Sequence, residues 1–382
     1  MKRIRNAESD GEHPLRYALI GAGIAGCAHL KAICGRKNVR LVGIVDPAPA
    51  SAWKLGGAGR EAPHFTTIEA LLGEVRPDIV SICTPTRDHA ELAMAALRSD
   101  AHVVCEKPMA MNLQEARQME QARAAAGRLG LMNFSHRNVA AFRFARQLIQ
   151  DGAMGRVTRI HISYLQSHLR AAGGRWTWRN DAATAGYGAM GDLGVHMIDA
   201  ARFVTGLEFR RVTGLKRTWI TERSDEEVRR PVTTDTDAVF LGEMQNDATA
   251  VFETGQTALG YGNCFRLEVG GELATVRVAS ELPDHIELSE RGAGWKAKLK
   301  MKRVPREFPG RNRPASPDAI VDAIRSGTTD YPTFRDGLAA QGVLEALDRA
   351  IGTRSWMECD EQAGEVGGTQ HGEPANLGEE LQ

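Results

Sequence analysis

The stretch Tyr17-Ala18-Leu19-Ile20-Gly21-Ala22-Gly23-Ile24-Ala25-Gly26, followed by a helix-like run to Ile33, an apolar strand from Val39 to Val45 and then Asp46, decides the fold. A glycine trio alone is common in turns. Here strand, G-x-G-x-x-G, helix, second strand and an acidic residue about 20 positions past the last glycine occur together, which is the context a dinucleotide site requires. Gly21 permits the tight turn, Gly23 lets the backbone approach a pyrophosphate, and Gly26 lets the helix pack on the strand. Ile24 and Ala25 belong to the same binding turn, where the helix start offers free N–H groups and partial positive charge to phosphates. Asp46 is suited to bond ribose hydroxyls and to repel a 2′-phosphate. Pro47 and Ala48 follow it with no adjacent arginine, so the expected cofactor is NAD rather than NADP.

The 382 residues are 42% hydrophobic and 25% charged, the composition of a globular protein long enough for two domains. Formal net charge is zero, which gives no electrostatic case for nucleic acid or a membrane surface. No apolar run approaches the ~18 residues of a membrane span, and Met1 to Pro14 lacks the apolar core of a signal peptide. The six cysteines, Cys27, Cys34, Cys83, Cys105, Cys264 and Cys359, form no C-x-x-C pair and read as reduced thiols of a cytoplasmic protein.

The expected organisation is a flexible arm (1–14), a dinucleotide-binding domain (15–137), a second α/β domain (138–357) and a disordered acidic tail (358–382). In the first, strands and helices alternate, which predicts a doubly wound parallel sheet. Strands are expected at Ile79–Cys83, His102–Cys105 and Leu129–Phe134, and a helix at about His89–Arg98. Thr66 to Glu69 and Asn112 to Glu115 read as capping boxes. In the second, a helix from Val139 to Gln150 and a strand from Val157 to Leu165 precede a Gly-, Trp- and Arg-rich loop (166–188) and a helix from Ala189 to Val204. Six strand patterns between Val212 and Ser289 follow with short turns, predicting an open, mainly antiparallel sheet. Ser316-Pro317-Asp318 reads as a helix start, and Thr333 to Ala350 as the last long helix. The basic run Arg291, Lys296, Lys298, Lys300, Lys302, Arg303 and Arg306 reads as a solvated strand or loop rather than an anion site.

Two stretches carry the chemistry. Cys83-Thr84-Pro85 and Glu106-Lys107-Pro108 each stand at the C-terminal end of a predicted strand, where ligands bind in open α/β sheets. Lys107 there can reach both cofactor and substrate. In Gly191-Asp192-Leu193-Gly194-Val195-His196-Met197-Ile198-Asp199, spacings of four and three put Asp192, His196 and Asp199 on one helix face. An aspartate beside a histidine suits a general base near neutral pH. Zinc would need a third ligand that the spacing does not supply, so no metal is expected.

These motifs, together with Ile82-Cys83-Thr84-Pro85, His89, Phe134-Ser135-His136-Arg137 and the final Thr333-Phe334-Arg335-Asp336-Gly337 helix start, resemble the glucose–fructose oxidoreductase / inositol 2-dehydrogenase / rhizopine-catabolism (Gfo/Idh/MocA) family over about residues 15–357. The resemblance implies a Rossmann domain, a C-terminal α+β domain on an open antiparallel sheet, and a site in the cleft between them. It gives Lys107, Asp192 and His196 catalytic roles. It puts Thr84, Pro85, His89, Glu106 and Lys107 at the cofactor, with Arg137, Trp178, Arg179 and Asp199 on the substrate side. The expected activity is NAD-dependent oxidation of a secondary alcohol of a sugar, a glycoside (an aminosugar glycoside included) or a cyclitol. A non-catalytic dinucleotide-binding sensor and an oxidoreductase that never releases NADP are the alternatives. Arg170, Arg175 and Arg179 leave room for an anionic or polyhydroxylated ligand. A homodimer or homotetramer is expected through the uncovered sheet face, on which Phe240 and Phe252 are assigned.

Overall fold

The glycine-rich turn connects the first strand of a six-stranded sheet to a helix lying against it. The protein is described by a computed structural model covering residues 13–33, 36–48, 59, 61–167, 174–225, 227–289, 294–306, 308, 318–327 and 330–359. The strands are Leu15–Ile20 (β1), Val39–Val45 (β2), His64–Phe65 (β3), Ile79–Ile82 (β4), His102–Cys105 (β5) and Gly130–Met132 (β6). They run parallel in the order β3-β2-β1-β4-β5-β6. The order reverses between β1 and β4, so a crevice opens above their C-terminal ends. Helices Ile24–Ile33 (α1), Ile68–Glu74 (α2), His89–Arg98 (α3) and Leu113–Ala126 (α4) connect the strands. β4 and β5 are buried along their whole length, as strands covered on both faces must be. The Asn112 side chain accepts from the Glu115 N–H at 2.9 Å, as its capping box requires. The cap of α2 is Thr67, one residue later than the sequence pattern suggests, because its hydroxyl and not that of Thr66 reaches Ala70 N–H.

After helix Ala140–Gln150 (α5) the chain builds a nine-stranded sheet. Its strands are Val157–Gln166 (β7), Phe209–Arg217 (β8), Asp237–Met244 (β11), Thr249–Gly255 (β12), Asn263–Gly271 (β13), Thr275–Ala279 (β14), His285–Ser289 (β15), Leu299–Arg303 (β16) and Met357–Glu358 (β17). Only the β7–β12 pairing is parallel. A separate hairpin, Glu222–Asp225 (β9) with Val228–Pro231 (β10), stands apart from it. Four further helices belong to this half: Ala182–Ala185 (α6), Val195–Thr205 (α7), Asp318–Ser326 (α8) and Phe334–Thr353 (α9).

Phe240 and Phe252 correct the expectation for the open face. They stack 4.4 Å apart and are 1% and 0% exposed, on the face that α7 and α9 cover. Alternation along a strand sends their neighbours the other way. Val239 pairs with Leu215, and Leu241 with Val251, and these four are exposed apolar residues of the outer surface. The basic run lies on the edge strand β16 and its approaches, mostly in solvent, as the solvated reading expects.

The C-terminal helices return to the first sheet. Ile320 and Val321 of α8 are buried with Tyr17, Leu19 and Ile44, and α9 packs on α4, α7 and β8. Met132 N–H donates to Pro332 O at 2.9 Å, and the Phe334 ring occupies the space a side chain at Gly130 would need. Burial of this order, about 1.5–3 kcal/mol per large apolar side chain, ties the end of the chain to its beginning. Residues 1–12 of the expected arm (1–14), 360–382 of the expected tail (358–382), Cys34, Arg170, Arg291 and the Ser316-Pro317 helix start lie outside the described residues. Glu358 and Cys359 correct the start of the tail, because Glu358 belongs to β17 and Cys359 N–H donates to Arg210 O at 2.8 Å.

Candidate active site

The turn after β1 is built for close approach. Gly21 has φ of +90°, and a Cβ there would stand 2.6 Å from Cys83 O. At Gly26 a Cβ would meet Gly21 O at 2.0 Å. Gly23 has nothing within 4 Å of the position a Cβ would take, and Ile24 beside it is 90% exposed. The backbone at Gly23 is therefore open to a phosphate, while the glycines on either side hold the turn against β4 and against itself. Asp46 Oδ2 accepts from Ala22 N–H at 2.8 Å, and Oδ1 from Ala48 N–H at 2.9 Å. The carboxylate is fixed at the strand end, with lone pairs left for ribose hydroxyls. These residues fit a dinucleotide.

A cleft of about 490 Å³ runs from this turn to the second sheet. Ile24, Thr84, Glu106 and Lys107 line it from the first domain, with Trp178, Arg179, Asp192 and Gln256 facing them. Lys107 Nζ donates to Asp192 Oδ1 at 2.7 Å and to Asp192 O at 2.8 Å. Gln256 Nε2 donates to Asp192 Oδ2 at 2.8 Å. The ammonium is thus held at the C-terminal end of β5 by a carboxylate that is itself held from β12's end.

Asp192 does not orient His196, contrary to the helix-face reading. Met190–Gly194 is a wide turn in which Val195 N–H bonds Met190 O, five residues back. That turn takes Asp192 off the face that four-residue spacing assigns it. Asp235 fixes the turn by accepting from Gly188 N–H and Met190 N–H, both at 2.8 Å. His196 is 6% exposed, lies among His136, Phe134 and Tyr164, and is not a lining residue of the cleft. Its Nδ1 is buried without a hydrogen-bond partner. Burial, with Lys107 and His136 nearby, holds its pKa well below the usual histidine value.

Two stretches of the chain match one protein family: residues 15–134 its oxidoreductase, NAD-binding Rossmann domain and residues 142–277 its C-terminal domain. The chain belongs to the GFO/IDH/MocA oxidoreductase family. Levoglucosan dehydrogenase of Pseudarthrobacter phenanthrenivorans is 27% identical over 385 residues, covering 90% of this chain and 98% of that protein. The structure of an oxidoreductase domain protein from Kribbella flavida superposes with a TM-score of 0.83 at 31% identity, covering 91% of this chain and all of that one. Levoglucosan dehydrogenase in complex with NADH and L-sorbose gives a TM-score of 0.82 at 25% identity, covering 91% of this chain and 99% of that chain.

Within this family member, three residues assigned to the ligands do other work. His89 is 1% exposed, and its ring nitrogens face Pro108 O at 2.9 Å and Thr84 O at 3.2 Å. It ties together the two strand-end loops and does not reach the cleft. Arg137 and Asp199 are buried together: Arg137 Nε lies 2.9 Å from Asp199 Oδ2, and its Nη2 lies 2.8 Å from Asp336 Oδ1. This cluster joins α7 to the start of α9 and is structural. Burial opposes charge on Asp336, but Arg137 and Arg202 hold its pKa down at about 2. Trp178 and Arg179 do line the cleft.

The sequence reading missed what lies beneath Lys107. His29 Nδ1 is 2.6 Å from Ser81 Oγ, and its Nε2 is 2.9 Å from Glu106 Oε1, which also accepts from Asn133 Nδ2 at 2.6 Å. Burial opposes charge on His29, and the hydrogen-bonded Glu106 carboxylate raises its pKa. Burial keeps the Cys83 thiol protonated, which leaves Glu106 as the effective partner. Burial also works against Glu106, yet His29, Lys107 and Asn133 bring it down to about 2. The signal for His29 was its position three residues after Gly26, on the helix face that meets the sheet. Gln256 and Asp235 carried no local signal, because each acts across the fold.

Proposed function

We propose that this oxidoreductase oxidises a secondary alcohol of a sugar, glycoside or cyclitol to the ketone, with NAD as hydride acceptor. The observation that carries the reading is Lys107 Nζ, fixed 2.7 Å from Asp192 in a cleft that begins at the glycine turn. The similarity to a levoglucosan dehydrogenase supports a sugar-like substrate. Bound NAD supplies the electron sink for the hydride. Lys107 donates a hydrogen bond to the alcohol oxygen and stabilises the alkoxide character that develops there. His196 takes the hydroxyl proton. Asp192 and Gln256 hold the ammonium in place, and Trp178 closes the substrate side. The deciding experiment is a panel of sugars and cyclitols with NAD, read by absorbance of the reduced cofactor. Tight NAD binding with no turnover on any of them would favour a dinucleotide-binding sensor instead.

A second assignment of the base rests on one observation: Lys107 lines the cleft and His196 does not. Lys107 is engaged as a donor, to Asp192 Oδ1 and Asp192 O, and so serves as a hydrogen-bond donor to the alcohol oxygen, which leaves His196 as the preferred acceptor.

Asp46 sets cofactor choice. A desolvated carboxylate facing a 2′-phosphate costs several kcal/mol, so NAD is expected to bind more tightly than NADP in parallel titrations. Asp46→Ser is expected to narrow the gap. Tighter NADP binding by the unaltered protein would remove this role for Asp46.

The outer sheet patch supports a homo-oligomer. Leu215, Val239, Leu241 and Val251 form cross-strand pairs on β8, β11 and β12, all more than a third exposed. Light scattering at micromolar concentration is expected to give a dimer or a tetramer, and a monomeric mass would exclude it. Among the described residues no helix is long and apolar enough to cross a membrane. Cysteines without C-x-x-C spacing support a reducing, cytoplasmic location.

A further inference from the structure

We propose that the substrate carries an anionic group, a phosphate or a carboxylate, and that Arg175, Arg179 and Arg223 form the subsite that receives it. The inference rests on the dehydrogenase reading above and narrows its substrate class.

The cleft lining holds four cationic side chains, Lys107, Arg175, Arg179 and Arg223, against two carboxylates, Glu106 and Asp192. Both carboxylates are already engaged. Glu106 is bonded by His29 and Asn133, and Asp192 by Lys107 and Gln256. Among the described residues, no carboxylate bonds Arg175 or Arg179.

The arginines are also held in place. Arg179 lies over the Trp178 ring, with 4.3 Å from its guanidinium carbon to the ring centroid. Stacking occupies the face of the guanidinium and leaves its N–H edge for a planar anion. The turn that carries it is fixed by Thr177 N–H donating to Asn180 Oδ1 at 2.9 Å and by Thr234 Oγ1 donating to Arg179 O at 3.0 Å. Arg223 reaches the cleft from the β9–β10 hairpin and is 9% exposed, and burial lowers its pKa. A β-bridge between Arg175 and Ser224, with Trp176 N–H donating to Ser224 O at 2.8 Å, brings Arg175 beside it. Two arginines thus come from one short loop and the third from a hairpin bonded to it. An ammonium-bearing sugar would meet repulsion here, whereas a sugar phosphate or sugar acid would find a charge-assisted, bidentate site.

The cofactor's own phosphates are the other source of anion. They have a site at the start of α1, and the experiment separates the two. Protein saturated with NADH is titrated with glucose 6-phosphate, glucuronate and glucose, read by calorimetry and by tryptophan fluorescence. NADH affinity is measured separately. At least one anionic sugar is expected to bind about tenfold or more tightly than glucose. That advantage is expected to vanish in Arg175→Gln/Arg179→Gln, both exposed positions, and in Arg223→Gln, with NADH affinity kept. Equal binding of glucose and both anionic sugars would overturn the proposal. So would an anionic preference that survives in all the variants, or a tenfold loss of NADH affinity on removing Arg175 and Arg179, which would assign them to the cofactor. If Arg223→Gln does not fold, the double variant alone decides. The dehydrogenase reading fails separately: an anionic binding preference with no NAD reduction by any sugar would refute that reading and keep the subsite. NAD reduction by neutral sugars, with no anionic preference, would do the reverse.

Discussion

Lys107→Ala is expected to lower kcat by about a hundredfold to a thousandfold, the range found when one donor to a developing oxyanion is removed. NAD affinity is expected to change little, because the glycine turn and Asp46 carry the cofactor. Two effects add at this position. The substrate oxygen loses the ammonium, and Asp192 loses the cation that holds its Oδ1 at 2.7 Å, while Gln256 still donates to its Oδ2. A carboxylate facing the cleft without its cation repels the developing alkoxide. Lys107→Arg is not expected to restore the rate. A planar fork cannot deliver one donor to Asp192 Oδ1, one to Asp192 O and a third to substrate from the same point. The measurement is steady-state kinetics on a substrate found in the sugar panel, with NAD affinity taken independently. An alanine variant that keeps kcat within about threefold, far inside the loss a donor's removal predicts, would remove Lys107 from the mechanism.

The parts of this protein that were legible in the sequence are those whose cause is local. The glycine turn states its function in its own spacing, since Gly21 and Gly26 answer steric demands against the next strand and within the turn, and Gly23 leaves the backbone open between them. The cap at Asn112 and the helix start at Thr333 are equally local. Period-2 alternation gave the strands of the second sheet but not which face the helices would cover, and Phe240 and Phe252 fell on the covered side. The Asp192–His196 relation failed for another reason. Helix periodicity presumes regular bonding, and the wide turn at Met190–Gly194 breaks it where the site is built. The family resemblance assigned Arg137 and His89 to the ligands, yet their partners are Asp199 and Asp336 in one case and two loop carbonyls in the other. What stayed hidden was non-local: Gln256 on Asp192, Asp235 under the turn, Arg223 from the hairpin.

His196→Ala is expected to lower kcat by about a hundredfold to ten-thousandfold, the usual value of a positioned general base, with NAD affinity unchanged. The pH profile gives the sharper test. Burial, Lys107 and His136 hold the folded pKa of His196 well below the unfolded value of 6.5. Neutral imidazole is then present throughout the neutral range, so kcat/KM is expected to be flat from about pH 6.5 upward rather than rising through the ordinary histidine range. Stability should respond on the acid side. A histidine kept neutral in the fold binds fewer protons there than in the unfolded chain, so stability falls as pH drops below the unfolded pKa. His136, lowered from 6.5 to about 4 by burial and by Lys107, adds to the same loss over that window. Thermal melting from pH 7 to pH 4 is expected to show it, and the slope should lessen in a His196 variant that still folds. Alanine leaves a gap among Phe134, His136 and Tyr164, so melting temperature and NAD binding of the variant must be read with its kinetics. If His196→Ala turns over near the wild-type rate, and wild-type activity climbs only toward the alkaline range of a free lysine at about 10.4, the proton goes to Lys107. Asp192 would then serve to hold an amine that must first lose its charge.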